Sequence, residues 1–435
     1  MDKTARKKDI RVAFYTLGCK LNQAETESLT GQFQEDGYHV VLPAEKADIY
    51  IINTCTITHV ADSKSRRALR AAKRRNPCAI VIAIGCYAHS APHELASIAD
   101  VVINNVEKPR LLEIVKRLPL LADSSAVGTE IGKHYEYDGL RIRSMVKIQG
   151  GCNTPCTYCI VPSVRTYEHS VPISQVIKEV RKKVSLGYKE VVLTGTKIGC
   201  YRDSGNGLER LIDYILNNTD ILRIRLSSLQ AKEISPKLLA LWKDKRLCRH
   251  FHLALQSGSS TVLHRMNRRY SVDTYQEIVR LIKNNITDVS ITTDIMVGFP
   301  GESDKEFEES YLYCKQLSFA AIHVFPFSKR MGTEAAGMPG QIGEKVKKER
   351  AHRMLELASC CKHSFYTKFS GRVLSVLWEK EIVLGEGIYS GLTDNYIRVF
   401  TKSRESLTNR ITWAKLEGDY RNGMWAEVTE NESSD

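Results

Sequence analysis

The sequence predicts an α/β protein in three parts: an open parallel-sheet domain, a partial β/α barrel and a small antiparallel β-barrel. Apolar runs of strand length alternate with helical patterns from Arg11 to Leu118 and again from Met145 to Phe325. This alternation is typical of parallel sheets. The second stretch contains six strand–helix repeats, too few for a closed eight-stranded barrel. Short alternating runs set off by glycines then end the chain, as in small antiparallel barrels.

The 435 residues divide into predicted domains over 1–122, 139–369 and 370–435, and residues 119–138 are predicted to form a linker. Met1–Lys8 is polar and charged, and no apolar stretch approaches the ~20 residues of a membrane span. We therefore expect a cytoplasmic protein without membrane contact or disulfides, whose twelve cysteines stay reduced and available to metals. A net charge of +13 is compatible with a polyanionic partner but does not identify one.

Cysteines follow three of the strands predicted in the first domain. Cys19, Cys55 and Cys86, here called the N-terminal triad, come after the first, second and third strands. Open parallel sheets bind ligands beyond the carboxyl ends of their strands, so these thiols are expected at one edge. Three thiolates there predict an iron–sulfur site with one open iron; the alternative is ordinary buried cysteines. The predicted strands are Arg11–Thr16, Asp48–Asn53, Ala79–Ile84 and Val101–Asn104, and the helices Ala24–Glu35, His59–Arg75 and Lys108–Leu118.

The helix predicted over His59–Arg75 is strongly basic. Its last twelve residues carry seven cations and no acid. Such a helix suits contact with RNA phosphates, which positions an RNA without reading its sequence. The alternative is a solvated face that keeps the chain soluble. The candidates for RNA contact are Arg66, Arg67, Arg70 and Arg74.

Six strand–helix units are predicted in the central domain and favour an open, partial (β/α)6 barrel. Barrel enzymes carry their chemistry at the carboxyl ends of the strands. The strands are Met145–Gln149, Glu190–Thr194, Leu222–Ser227, Phe251–Leu255, Ser290–Val297 and Ala320–Phe325. The intervening helices include Ile173–Leu186, Leu208–Asn217, Ser235–Trp242, Thr274–Asn284 and Asp304–Leu317.

A second group of cysteines follows the first of these strands. Cys152, Cys156 and Cys159, at spacings of four and three, lie in a segment here called the cysteine loop, residues 152–159. A structural zinc site needs four ligands, and no fourth cysteine or nearby histidine completes the set. Three thiolates instead suit a 4Fe–4S cluster in which one iron keeps an open position.

The last domain is predicted to be a compact antiparallel barrel. Its predicted strands include Val373–Trp378, Tyr396–Phe400 and Trp425–Val428. Its run Gly391–Val399 resembles the TRAM domain, an OB-like RNA-binding module. Tyr396 and Arg398 are therefore candidates for RNA contact by stacking and charge. The alternative is a barrel used only for packing.

The cysteine loop, with an aromatic residue before its last cysteine, resembles the radical S-adenosylmethionine (SAM) enzymes. The flanks of the N-terminal triad (17–22, 53–55 and 84–87) and segments 253–259, 266–270 and 297–302 resemble the methylthiotransferases, a radical SAM subgroup. Residues 323–336 are similar to the branch that acts on N6-threonylcarbamoyladenosine in tRNA. The resemblance covers nearly the whole chain.

This resemblance implies two 4Fe–4S clusters, one on the cysteine loop and an auxiliary one on the N-terminal triad. The open iron of the first would hold the amino and carboxylate groups of SAM, with Tyr158 near the adenine. Residues after the barrel strands would supply further SAM contacts, although each alone also suits an ordinary turn or cap. These are Thr194, Gly195, Ser228 and Gln256.

The sequence departs from the family at four positions outside the cluster ligands. Thr166 stands where many members have glycine, and Val171 where many have arginine. Lys197 replaces a common asparagine, and Gln230 begins the pair that replaces Glu-Pro. These changes concern packing around SAM and the choice of substrate.

The first hypothesis is an enzyme that installs a methylthio group at C2 of N6-threonylcarbamoyladenosine, beside the anticodon. The C2–H of adenine is not acidic, so a cofactor must perform the difficult step. The family implies two SAM per turnover, one as methyl donor and one as source of a 5′-deoxyadenosyl radical. The expected partners are a tRNA anticodon stem-loop, with the target base splayed out, and a small electron-donor protein of the flavodoxin or ferredoxin type.

Two alternatives stay open. One is a methylthiotransferase with another substrate, either isopentenyladenosine in tRNA or an aspartate of a ribosomal protein. The other, from a different class, is an iron–sulfur RNA-binding regulator without catalysis, which would explain the basic helix and the last barrel. It would not explain why an open three-thiolate loop follows the first strand of a six-unit barrel.

Overall fold

The structure, a computed structural model, describes residues 10–118, 142–383 and 385–429. The predicted linker 119–138 lies outside these residues. One compact unit combines residues 10–118 with Cys159–Tyr167, and the second combines 142–158 with 168–429. The segment Cys159–Tyr167, part of the predicted central domain, therefore packs with the first unit.

The first unit is built on an open five-stranded parallel sheet, as predicted. The strand order is β2-β1-β3-β4-β5. Its edge strand β2 has three residues and was not predicted. The strands are β1 Arg11–Thr16, β2 His39–Val41, β3 Ile49–Thr54, β4 Ile80–Gly85 and β5 Val101–Ile103. The α-helices are Lys20–Glu35, His59–Arg75, Cys86–Ser90, Pro92–Leu95, Leu111–Lys116 and Val161–Val164.

Helices cover both faces of this sheet, which is why β4 and the first four residues of β3 are apolar. Every residue of these two strands is buried. Ile49 and Ile51 pack in a core with Phe33, whereas Tyr50 and Ile52 pack in a second core on the other face. This double burial is the arrangement expected of a parallel sheet and brings the carboxyl ends of neighbouring strands to one edge.

Six consecutive parallel strand positions form the barrel of the second unit. Their order follows the chain, β6-β9-β10 and then β11-β12-β13-β14, and the third position is broken at Ser227 between β10 and β11. β10 pairs with β9, and β11 pairs with β12. The strands are β6 Arg143–Lys147, β7 Gln149–Gly150, β8 His169–Ser170, β9 Glu190–Thr194, β10 Arg223–Leu226, β11 Ser228–Leu229, β12 His250–Leu253, β13 Ser290–Val297 and β14 Ala321–Pro326.

Helices pack on the outer face of this barrel. In β13, Ile295 and Val297 are buried in the large core formed with the helices, whereas Asp294 and Met296 alternate with them and are only half-buried. The α-helices are Ile173–Ser185, Leu208–Asn218, Pro236–Leu239, Ser260–Arg265, Val272–Asn285, Asp304–Leu317, Glu334–Gly337 and Glu344–Thr367. No helix in the described part of the chain has both the length and the apolar character needed to cross a membrane.

A closed five-stranded barrel ends the described chain, in the order β15-β16-β17-β19-β18. Its core contains Trp378, Val399 and Ala414, together with Phe365 and Phe369 near the end of the long helix. The small terminal β-barrel is thus confirmed. Its strands are β15 Val373–Val383, β16 Ile388–Thr393, β17 Arg398–Lys402, β18 Ile411–Tyr420 and β19 Gly423–Thr429.

A buried ionic network joins the two barrels of the second unit. Arg225 is fully buried, and its Nε lies 2.7 Å from Oε1 of the equally buried Glu190. The same guanidinium donates to the backbone oxygens of Thr393 and Asp394 in the terminal barrel. Although burial opposes ionisation, Arg225 and neighbouring arginines lower the pKa of Glu190, so the carboxylate stays charged. The terminal barrel is therefore a packed part of the second unit.

Candidate cluster and cofactor site

The N-terminal triad lies where the strand-end argument places it. Cys55 directly follows β3, Cys86 directly follows β4, and Cys19 comes three residues after β1. These strands are neighbours in the order β1-β3-β4. Cys55 interacts electrostatically with both of the other thiols, so the three sulfurs share one region of the sheet edge. Their ligation of a cluster stays a prediction.

Glycine is required twice beside the triad. Gly18 adopts φ +94°, and a Cβ there would lie 2.8 Å from the Cys55 Sγ. Gly85 adopts φ +97°, and a Cβ there would lie 2.5 Å from the Thr54 carbonyl oxygen. Both positions therefore exclude side chains, by close approach and by backbone conformation. Packing and backbone conformation therefore explain why glycine precedes Cys19 and Cys86.

Protein packing keeps the buried Cys55 thiol protonated in the absence of a ligand. Desolvation raises the pKa of Cys55 to about 12, against a hydrogen bond from the Ile57 backbone, and Cys86 and Cys19 raise it further. Desolvation also raises the pKa of Cys19, while the positive charge of Arg165 lowers it. Binding of a metal deprotonates coordinating thiols, so loading this site would release protons.

Arg165 is held beside the triad by an ion-pair network. Its guanidinium donates to both carboxylate oxygens of Glu25, at 2.8 and 2.9 Å, and to Asn22 Oδ1 at 2.7 Å. Lys108 Nζ lies 2.5 Å from Glu25 Oε2, and the Lys108 side chain is only 5% exposed. The two cations and one buried carboxylate leave a net positive charge next to thiols that would become anionic on loading.

The segment after the cysteine loop packs directly on this region. Ile160 and Val164 form a buried cluster with Cys86. The Asn105 side chain donates to the Val164 carbonyl oxygen at 2.7 Å. Because Ile160 is the neighbour of Cys159 in the chain, a residue of the cysteine loop lies in the same compact unit as the triad.

The donor chemistry of the triad fits an iron–sulfur cluster better than a single ion. Among the described residues, no three histidine, cysteine or acidic side chains are arranged to hold one metal ion. All twelve cysteines are free thiols. A 4Fe–4S cluster presents a separate iron to each thiolate and so needs no such single-ion geometry. Three thiols close to a cationic group provide what this cluster requires.

Cys152 and Cys156 lie in the second unit, and Cys159 lies in the first. The predicted common site of these three cysteines therefore rests on their spacing. In the second unit, the Thr154 backbone N–H donates to the Cys152 Sγ at 3.4 Å, and Arg268 Nη1 donates to the Cys156 Sγ at 3.6 Å. Donors directed at both sulfurs fit thiolate ligands, because thiolates are the better acceptors.

Other contacts fix the backbone of the cysteine loop. Asn267 Nδ2 donates to the Pro155 carbonyl oxygen at 2.7 Å. The Thr157 backbone N–H donates to the Met266 carbonyl oxygen. The Thr157 hydroxyl donates to the Arg265 carbonyl oxygen. Thus residues 265–268 hold the loop from one side.

The predicted SAM contacts lie at or just after the carboxyl ends of barrel strands. Thr194 ends β9 and is buried, whereas Ser228 begins β11 and is exposed. A Cβ at Gly195 would lie 2.7 Å from the Gln149 carbonyl oxygen, so packing alone requires glycine at this position.

The other two predicted SAM contacts are Gln256 and Tyr158. Gln256 adopts φ +76°, a conformation that few non-glycine residues take. Tyr158 packs against the cluster of Val262, Met266, Phe299, Phe327 and Ala335. Their roles toward SAM stay predictions.

The four arginines predicted for RNA contact differ in their surroundings. Arg66 pairs with Glu94 at 2.9 Å and donates to the Tyr87 hydroxyl. Arg67, Arg70 and Arg74 are exposed. Lys64, which was not among the candidates, is exposed on the same helix. The basic stripe is defined here as Lys64, Arg67, Arg70 and Arg74, none of which makes a hydrogen bond or ion pair to the described residues.

The two candidates in the terminal barrel are engaged within the second unit. The Tyr396 ring stacks on His250, with centroids 4.0 Å apart and planes 5° apart. The Arg225 guanidinium lies 5.1 Å from the Tyr396 ring centroid. Arg398 pairs with Glu379. RNA contact by Tyr396 and Arg398 stays a prediction and would require these contacts to be exchanged.

Several residues of the site were given no role by the sequence reasoning. Arg268 lies in a run that signals the family, yet nothing in that run reveals its contact with Cys156. Arg165 and Glu25 are 140 positions apart in the chain, so their pairing leaves no local pattern.

Comparison with known proteins agrees with this architecture. The model of Uncharacterized protein family UPF0004 matches residues 11–104, and that of the Radical SAM superfamily matches residues 146–314. The solved structure of a radical SAM methyltransferase, TsrM from Kitasatospora setae, superposes with a TM-score of 0.55 at 13% identity, covering 75% of this chain and 77% of that one. This likeness shows the fold.

Relatives of nearly full length share more sequence. A threonylcarbamoyladenosine tRNA methylthiotransferase, MtaB, from Bacillus subtilis (strain 168) is 35% identical over 97% of both chains. The MtaB of Aquifex aeolicus (strain VF5) is 39% identical over 90% of this chain and 96% of its own. A tRNA-2-methylthio-N(6)-dimethylallyladenosine synthase from Thermodesulfovibrio yellowstonii is 32% identical over 93% and 97%.

The barrel, the cysteine loop and the match over residues 146–314 define a radical SAM enzyme. Full-length similarity to both kinds of tRNA-modifying relative narrows this class. The chain belongs to the radical SAM tRNA methylthiotransferases. Its cofactors are those of the family, 4Fe–4S clusters and SAM, so the predicted family, enzyme class and cofactors are confirmed.

Proposed function

We propose that this enzyme installs a methylthio group at C2 of N6-threonylcarbamoyladenosine in tRNA, using two 4Fe–4S clusters and two SAM per turnover. The observation that carries the proposal is the packing of Ile160 on Cys86, next to Cys159. It links a residue of the SAM-cluster loop to the triad expected to hold the sulfur-bearing cluster. A methylthiotransferase needs both chemistries near one substrate.

When bound, the clusters and SAM supply the electron, the radical and the sulfur. The chain's own residues hold and orient these groups. Donors from Thr154 and Arg268 stabilise anionic sulfur at Cys152 and Cys156. Arg165 provides positive charge beside the triad, which offsets the negative charge of its thiolates.

Residues 323–336 and the MtaB relatives support the threonylcarbamoyl branch. The direct test uses reconstituted protein, SAM, dithionite and anticodon stem-loops that carry either threonylcarbamoyladenosine or isopentenyladenosine. Mass spectrometry of the digested nucleosides is expected to show the 2-methylthio product of the first RNA only. Product from the second RNA alone would overturn the choice of branch.

The same assay addresses the remaining alternatives. Formation of 5′-deoxyadenosine with neither RNA methylthiolated would favour another substrate, such as a ribosomal protein aspartate. No 5′-deoxyadenosine, under conditions where a control radical SAM enzyme forms it, would favour a non-catalytic regulator. Product obtained with reduced flavodoxin or ferredoxin in place of dithionite would support the proposed electron donor.

The basic stripe is proposed as a contact for the tRNA backbone. Its four positions fall within about 120° of the helix circumference and span about 15 Å of the axis. Exposed cations without partners can release counterions from an RNA, whereas Arg66 is already committed to Glu94. The stripe therefore refines the set of arginines predicted from the sequence.

Replacing all four stripe residues by glutamine is expected to weaken tRNA binding at every salt concentration. The slope of log K against log salt should fall by about 3, since each lost contact removes about 0.7–0.9. The control is Lys345→Gln/Lys348→Gln, which removes exposed cations from a helix of mixed charge. An unchanged slope in the stripe variant would exclude the stripe from the interface.

A further inference from the structure

Two cations contact the cysteine loop within the second unit. Arg268 Nη1 lies 3.6 Å from the Cys156 Sγ. Lys197 Nζ lies 3.0 Å from Oγ1 of Thr154, a residue two positions from both Cys152 and Cys156. Neither Arg268 nor Lys197 is among the residues that the family resemblance assigned to SAM or to a cluster.

The Arg268 guanidinium is held in place by several groups. Its Nε donates to the Tyr270 hydroxyl at 3.0 Å, and its Nη2 donates to the Ala254 carbonyl oxygen at 3.1 Å. The Tyr270 hydroxyl in turn donates to the carbonyl oxygens of Ala254 and Leu255. The remaining Nη1 is therefore fixed with its donor toward sulfur.

The backbone of Lys197 is also held in place, and its side chain stays charged. Its backbone N–H donates to Gln149 Oε1 at 2.8 Å. Although desolvation opposes it, interaction with Cys200 and the charge of Glu233 raise the pKa of Lys197. Many family members have asparagine at this position, so the positive charge is a property of this chain.

We propose that Arg268 and Lys197 are positioning residues that favour the reduced state of the cluster bound by the cysteine loop. Reduction adds one negative charge to the cluster, and hydrogen bonds and net charge near the sulfurs set its potential. Cations fixed on the loop that carries the ligating cysteines, one of them on the Cys156 sulfur itself, stabilise the more negative state. They would allow a weaker biological reductant to supply the electron.

The inference rests on the cysteine loop holding a cluster and not on which nucleoside is modified. The experiment uses full-length protein in which the N-terminal triad is replaced by alanine, so that a single cluster is measured. Iron content first shows that the cluster is present. A redox titration followed by electron paramagnetic resonance then gives the midpoint potential of each variant, without substrate RNA.

Arg268→Gln is expected to shift the reduction equilibrium about tenfold toward the oxidised state, about 59 mV for a one-electron couple. Arg268→Lys, which keeps the charge, should recover most of this shift. The matched control is Arg269→Gln, because Arg269 is exposed and makes no contact with the cysteine loop in the described structure. It should leave the potential unchanged.

Lys197→Asn provides an independent variant, since relatives carry asparagine there, and it should shift the potential in the same direction. It also keeps the test valid if Arg268→Gln loses its cluster. The inference would be overturned if Lys197→Asn, and any Arg268→Gln that keeps its cluster, had reduction equilibria within about twofold of that of Arg269→Gln. If the same substitutions in protein with an intact triad abolish methylthiolation while the potential is unchanged, the inference is overturned and the two residues have another role.

Discussion

Removal of the buried carboxylate between the two barrels of the second unit is expected to be strongly destabilising. Glu190 is fully buried and makes hydrogen bonds at 2.7 and 3.2 Å to Arg225, with Arg143 and Arg223 each at 3.9 Å. In Glu190→Gln the buried negative charge is lost and an amide NH2 replaces one of the two acceptors of Arg225, whereas Arg143 keeps its pairing with Glu379 at 2.8 Å. Breaking a buried pair in this way costs ~3–5 kcal/mol.

This cost predicts a decrease of about 10 °C in the melting temperature of Glu190→Gln, measured by circular dichroism. Limited proteolysis should also release the terminal barrel more readily, because Arg225 donates to backbone oxygens in that barrel. The control is Glu179→Gln, which removes a half-exposed partner of Lys183 and should cost under ~1 kcal/mol. A melting temperature of Glu190→Gln close to that of the control would refute the reasoning.

Three further outcomes are expected. Alanine at all positions of the N-terminal triad should remove about four of about eight irons per chain, and an unchanged iron content would contradict an auxiliary cluster. A hydrogen bond from Arg265 lowers the pKa of Glu306 from its usual 4.5 to about 2. The folded state is therefore fully stabilised by this pair above about pH 4.5, and the stabilisation is lost as pH falls toward 2. Glu306→Gln should therefore reduce the loss of thermal stability over this range, and an identical pH profile would argue against the pair. Gly18→Ala should lose the triad's irons by displacing Cys55, whereas Gly31→Ala, which has open space, should keep them; equal iron content would refute the steric argument.

Strands rich in β-branched residues or aromatic residues and followed closely by glycine were predictable from the sequence. The bounds of β1, β9 and β13 coincide with the prediction, and Gly18, Gly195 and Gly298 follow these strands within two residues. The edge strand His39–Val41 is too short to show a period of two. The break at Ser227 depends on pairing with two different neighbours, β9 and β12, which no local pattern encodes.

The same distinction applies to the site. Strand-end spacing places the N-terminal triad at one sheet edge because parallel topology relates strand ends in a simple way. It says nothing of Arg165 and Glu25, whose pairing depends on packing across 140 positions. The departure at Thr166 also becomes understandable: the residue is exposed and is not among the positive-φ residues of the described chain, so glycine is not required there.

Residues 159–167 pack in the same compact unit as the N-terminal triad. Ile160 and Val164 are buried against Cys86, and burial of such side chains contributes about 1.5–3 kcal/mol each. Arg165 adds a bidentate pair with Glu25 in the same unit. A segment with this much contact cannot move away from the triad without losing most of these interactions. Because Cys159 begins the segment, the position of this cysteine depends on packing within the first unit.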